Sequence, residues 1–181
     1  RAILEAAGIP VDVRPADLDE RAVESAAAPA GSVAQFLARA KARAVAAAMP
    51  GRLVLGAEQT LALGARRFDK PANRDAAREQ LRALAGQTHE LHSAIAFVRG
   101  GDVLHEQVRV ARMTMRTFSD RFLEAYLDLA GPAVMASVGA YQVEGMGIHL
   151  FERFDADHFT ILGLPLLDAL SFLRTAGHLE T

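Results

Sequence analysis

Residues 53–64 read LVLGAEQTLALG. An apolar run climbs to Gly56 and Ala57, meets a carboxylate at Glu58, and turns apolar again. Leu53–Leu55 and Leu61–Leu63 read as two short buried strands, with Glu58 just beyond the end of the first. A carboxylate flanked in this way is partly buried on almost any arrangement. It then requires a cation, a metal ion or strong hydrogen-bond donors.

Working outward, Ser32 with Gln35 spells a capping box, which predicts a helix running to about Met49. Upstream, Ile3, Leu4 and Ala7 share one helical face that Gly8 and Pro10 bring to a stop. Val11–Val13 reads as a short strand, followed by an acidic loop. Downstream of the central stretch, "GARR" makes a turn and Asn73 caps a helix through Leu84, with Gly86 past its end. Residues 89–98 and 103–115 form a β-hairpin split by "RGGD". Ser119 caps a helix to Ala130. A Gly-punctuated loop, 139–150, leads to a strand. A turn at 155–157 precedes "HFTIL", and "GLPL" opens a last helix ending near Ala176. Helices alternate with strands and one hairpin is antiparallel, which predicts an α/β fold: a mixed β-sheet with flanking helices in a single domain, 1–181.

The bulk numbers exclude several classes. The chain has 181 residues, 51% of them hydrophobic, enough for one domain with a sizeable core. Its formal net charge is −2 with dispersed basic residues, so no basic field marks a nucleic-acid binder. Cysteine is absent, which removes disulfides and thiolate metal sites. No apolar segment reaches the ~18 residues of a membrane span, and a cytoplasmic location is expected. Phosphate loops of the ATPase and dinucleotide types are absent, as is a Gly-x-Ser-x-Gly nucleophile elbow. The chain opens at Arg1 directly in helical sequence, and a preceding segment is expected.

Five polar clusters remain as candidates. Asp17, Asp19 and Glu20 lie in the acidic loop; Asp17 reads as solvated. Lys41 lies on an alanine-rich helix, where periodicity alone makes it a surface lysine with a buried stem. Glu58 and Gln59 follow a strand. Asp69 and Lys70 precede Pro71. Gln142 and Glu144 lie in the late glycine-rich loop. Of the six histidines, only His89 and His92 are close, at a strand spacing that points them to opposite faces. Carboxylates with lysines, without thiols and with little useful histidine, suit a hard divalent cation and an oligophosphate. A further carboxylate can orient or deprotonate water, which is the equipment for metal-assisted hydrolysis of a phosphoanhydride.

The ordered motifs "LVLGAEQTLAL", "FDKP", "AAREQLRALAGQTHELHSAIAF" and "GAYQVEGMGIHLFERFDADHFTILGLPL" resemble the Maf family. These are nucleoside-triphosphate pyrophosphatases, also called septum-formation inhibitor Maf-like proteins. The resemblance covers nearly the whole chain. It implies two lobes around a cleft, similar to inosine-triphosphate pyrophosphatases, and hydrolysis of a nucleoside triphosphate to the monophosphate and pyrophosphate with Mg²⁺ or Mn²⁺. It implies Glu58 as the catalytic acid, Lys41 and Lys70 as phosphate-binding lysines, and Glu58, Asp19 and Glu20 as metal ligands. Gln59 and Glu144 fall at base-specificity positions. The partners implied are the nucleotide and, at most, a second copy of the chain as a possible homodimer.

Three departures from the family pattern stand out. An opening strand and phosphate-binding turn belong before residue 1. The usual Asp is Glu58. An Asp-Lys pair is replaced by Ala136 and Ser137, which together with Gln59 and Glu144 resembles the 7-methyl-GTP branch more than the dTTP and UTP branch. The alternative function is a non-catalytic nucleotide-binding regulator of cell division, which the added methylene of Glu58 motivates.

Overall fold

The computed structural model describes residues 1–18 and 28–180. It is an α/β fold. In chain order the elements are helix α1 (Ala2–Ala6), helix α2 (Ala30–Ala48), strands β1 (Val54–Leu63) and β2 (Arg66–Phe68), and helix α3 (Arg74–Leu84). The hairpin strands β3 (Thr88–Arg99) and β4 (Asp102–Met115) follow, then helix α4 (Asp120–Ala130). Three short 3₁₀ turns lead to strand β5 (Phe151–Asp155), and helices α5 (His158–Ile161) and α6 (Leu166–Thr175) close the chain. The five strands form one sheet in the order β2-β1-β3-β4-β5. β2 pairs antiparallel to β1, with Leu61 opposite Phe68, and β5 pairs antiparallel to β4. Among the described residues no helix is long and apolar enough to cross a membrane.

Local chemistry places most of these elements as expected. The Asn73 side chain accepts from the Ala76 N–H at 2.8 Å and starts α3. The Ser119 hydroxyl accepts from the Phe122 N–H at 3.2 Å and starts α4. Gly100 and Gly101 turn the β3–β4 hairpin, both with positive φ.

Three expectations are corrected. Val11–Val13 form no strand, because a three-residue extended run is a strand only where a partner pairs with it. α2 begins at Ala30 behind Pro29, whose fixed φ suits a helix entrance, so Ser32 lies inside the helix and caps nothing. Most consequentially, the two predicted strands of the central stretch are one. β1 runs unbroken through Gly56, Ala57 and Glu58, since ladder hydrogen bonds come from the backbone and tolerate a charge on one face.

The chain divides into two compact units, one of Arg1–Gln59, His92–Val110 and Asp157–Thr181, the other of Thr60–Leu91 and Ala111–Ala156. In the first, β3 is buried on both faces. Ala94, Ala96 and Val98 meet the Ala34, Ala38, Ala42 and Ala46 stripe of α2. The alternate residues Ile95 and Phe97 meet Leu166, Ala169 and Leu173 of α6. This is the two-residue period of a strand joined to the four-residue spacing of a helix face. In the second unit, α3 and α4 bury Leu81, Leu84, Leu123 and Leu127. Glu124 takes ion pairs from Arg74 and Arg78 across the two helices, and Arg78 first, then Arg74, lowers its carboxyl to about 2.

Candidate active site

The site is built on a close approach of helix to strand. A Cβ placed on Gly56 would stand 2.1 Å from the Ala38 carbonyl oxygen and 2.9 Å from the Ala42 nitrogen. No side chain fits there, so the α2 backbone rests directly on β1. The alanine stripe of α2 keeps the approach close along its length. Glu58 lies two residues beyond Gly56, on the same face of the strand, and Lys41 lies on the α2 turn between Ala38 and Ala42. The Lys41 ammonium consequently pairs with Glu58 Oε2. Both side chains are mostly buried, at 24% and 17% exposure. The other carboxylate oxygen, Oε1, accepts the Gln59 N–H at 2.9 Å. Glu58 is therefore held on both oxygens, in mid-strand rather than at a strand end.

Gln59 faces the opposite side of β1. Its Nε2 donates to Ser93 Oγ at 2.9 Å and to the carbonyls of Thr160 and Ile161 at 3.2 and 3.1 Å. Ser93 itself is buried and donates to the Thr160 carbonyl at 2.7 Å. The Gln59 amide nitrogen is thus committed inward, tying β1 to β3 and the end of α5. Lys70 belongs to the second unit. It is exposed, on a loop whose Asp69 carbonyl accepts from Gln80 Nε2 at 2.8 Å and whose Pro71 is buried. Glu144 is also exposed and also in the second unit. Asp19 and Glu20 lie outside the described residues. Among the described residues, no three His, Asp or Glu side chains cluster to hold a metal ion. The structure therefore joins Lys41 to Glu58, and Lys70 and Glu144 belong to the other unit.

The profile of the family described as Maf-like protein matches residues 1–176. The chain belongs to the Maf family. Among similar proteins, a nucleoside triphosphate pyrophosphatase of Rhodopseudomonas palustris (strain HaA2) is 58% identical over 178 residues, covering 97% of this chain and 88% of its own. One of Nitrobacter hamburgensis, with the same name, is 53% identical over 99% of this chain and 90% of its own. A protein of Mesorhizobium japonicum named 7-methyl-GTP pyrophosphatase is 50% identical over 99% of this chain and 92% of its own.

Two features of the Maf chain escaped sequence reasoning. Gly56 was legible as a glycine inside a strand pattern, a sign of close backbone approach, yet only the fold shows what approaches. The other is a buried polar pair beneath the late glycine-rich loop. His89, fully buried on β3, bonds the Tyr141 hydroxyl through Nε2 at 2.7 Å. Burial lowers the His89 imidazole to about 4, so it is neutral at ordinary pH. Burial likewise raises the Tyr141 phenol. Strand spacing set His89 and His92 on opposite faces, but a histidine in an apolar strand carries no sign of its partner.

Proposed function

We propose that this Maf protein hydrolyses nucleoside triphosphates between the α- and β-phosphates, yielding the monophosphate and pyrophosphate. The observation that carries the proposal is the Lys41–Glu58 pair, a carboxylate fixed on a rigid strand with a cation beside it. The names of the relatives, at 50–58% identity over nearly the whole chain, support the reaction class.

In the reaction proposed, Glu58 orients the attacking water and accepts its proton as the bond to the α-phosphorus forms. Its held oxygens limit the carboxylate to one orientation, which favours proton transfer at a defined point. Lys41 stabilises the anionic form of Glu58 and lends positive charge to the phosphates. Lys70 neutralises the departing pyrophosphate. The donor set fits a hard divalent cation: a carboxylate with unused lone pairs and no thiolate. Glu58 with Asp19 and Glu20 would hold it, and when bound it supplies Lewis-acid polarisation of phosphate oxygens.

We assign base selection to Glu144 in preference to Gln59, whose amide nitrogen is spent on Ser93, Thr160 and Ile161. A carboxylate favours a cationic base, and N7-methylation gives guanine a fixed positive charge. Unit charges ~4 Å apart in water interact by ~1 kcal/mol, which is roughly fivefold in selectivity. Pyrophosphate release from a panel containing GTP, 7-methyl-GTP, dTTP and UTP, with Mg²⁺ or Mn²⁺, tests both statements. Turnover with 7-methyl-GTP favoured is expected. No turnover of any nucleotide would defeat the first statement, and equal rates with GTP and 7-methyl-GTP would defeat the second.

A further inference from the structure

The loop that bears Gln142 and Glu144 is built on one unusual residue. Ala140 has φ +61°, the left-handed region, and no other described non-glycine residue does. Such a conformation costs an alanine roughly 1–2 kcal/mol and persists only where the surroundings impose it. Here they do. The Tyr126 hydroxyl donates to the Ala140 carbonyl at 3.0 Å. Tyr141, the next residue, is buried, bonded to His89 and edge-on to Phe151 at 4.8 Å. A Cβ on Gly139 would stand 2.6 Å from both Leu61 and the Tyr141 ring. One on Gly147 would stand 2.4 Å from the Gln142 carbonyl oxygen. The loop is therefore clamped before and after Glu144.

The His89–Tyr141 bond is a costly way to build this clamp. His89 Nδ1 is buried and finds no hydrogen-bond partner among the described residues. Replacing both partners of such a pair with apolar groups of similar shape is often neutral or stabilising. A fold selected for stability alone would place a leucine or phenylalanine at 89. What the hydrogen bond adds is direction: it fixes the Tyr141 ring in its plane, and with it the backbone from Ala140 onward.

We propose that His89 is a positioning residue for base selection, acting through Tyr141 to set where Glu144 stands. The proposal rests on the assignment of Glu144 to the base. His89 touches no substrate; it determines the loop's register against α4 and β3.

The test combines stability with nucleotide selectivity in the full chain. The double variant His89→Leu/Tyr141→Phe removes both polar groups. Its melting temperature is expected to equal or exceed the parent's. Its ratio of kcat/KM between 7-methyl-GTP and GTP is expected to fall by up to roughly fivefold, the whole of the selectivity assigned to the Glu144 charge. Against a Glu144→Ala background, the same double change should alter the ratio no further, because its effect passes through Glu144. A double variant that keeps the parent ratio, or that lowers it independently of Glu144, overturns the proposal while leaving the assignment of Glu144 intact. A Glu144→Ala protein with the parent's selectivity, or a parent that releases no pyrophosphate, overturns the assignment and the proposal together. Should the double variant fail to fold, Tyr141→Phe alone, which deletes one hydroxyl, is read by the same criteria.

Discussion

Gly56→Ala is the smallest change that separates Lys41 from Glu58. The added Cβ would lie 2.1 Å from the Ala38 carbonyl oxygen, against backbone that no rotamer change can move aside. An ordinary contact is about 3.4 Å, so helix and strand must part by about 1.3 Å at this point. Overpacking of this kind costs typically ~1–3 kcal/mol. At roughly 2–4 °C per kcal/mol for a chain of this size, the melting temperature should fall by roughly 2–12 °C. The catalytic consequence should be larger. A displacement of about an ångström in a preorganised site loses on the order of 100-fold in rate, so pyrophosphate release should drop far more than stability does. Thermal unfolding and pyrophosphate release, on the same preparation, read both. A Gly56→Ala protein with the parent's unfolding midpoint and rate would refute the claim that the close approach builds the site.

Further outcomes are expected. Stability should fall as pH drops from the ordinary histidine range towards 4. His89 binds its proton less readily folded than unfolded, so the unfolded chain takes up more protons in that window, and the loss amounts to ~3 kcal/mol at most. Urea midpoints at successive pH values should show a shallower acid decline for His89→Gln, and parallel declines would count against a neutral buried imidazole. Mg²⁺ with a non-hydrolysable nucleoside triphosphate should raise the melting temperature by more than the sum of the two separate shifts, and purely additive shifts would speak against a shared site. Glu144→Gln should lower the 7-methyl-GTP to GTP preference roughly fivefold; an unchanged ratio of kcat/KM would remove Glu144 from base selection.

The parts of the fold legible in the sequence are those whose signals are local. Asn73 and Ser119 cap the helices they announce because a side-chain oxygen three residues before a backbone N–H suffices. The β3–β4 hairpin follows from two strand-forming runs on either side of adjacent glycines. Where the sequence misled, a tertiary partner decided. Val11–Val13 found none and stayed unpaired. β1 lies beside β3 in the sheet and runs on through Glu58, which sequence had treated as a break. For the site, the flanking apolar runs singled out Glu58, the resemblance to the family selected Lys41, and the chemistry of a half-buried carboxylate called for a cation. Nothing local said that the cation would be Lys41, since that depends on α2 resting on Gly56. The inward commitment of Gln59 was equally hidden, because its partners at Ser93 and Thr160 are distant in sequence.

The central claim is that Glu58 performs the chemistry, and Glu58→Gln tests it most directly. The amide keeps the volume and the Lys41 contact but cannot accept a proton or offer a full negative charge. The pair is mostly buried, so losing one charge should cost more than the ~1 kcal/mol of an exposed pair, and thermal unfolding should show a folded protein with a lowered melting temperature. Pyrophosphate release from the preferred nucleotide should fall by roughly 10²- to 10⁴-fold. A folded Glu58→Gln protein that releases pyrophosphate at the parent's rate would contradict the account.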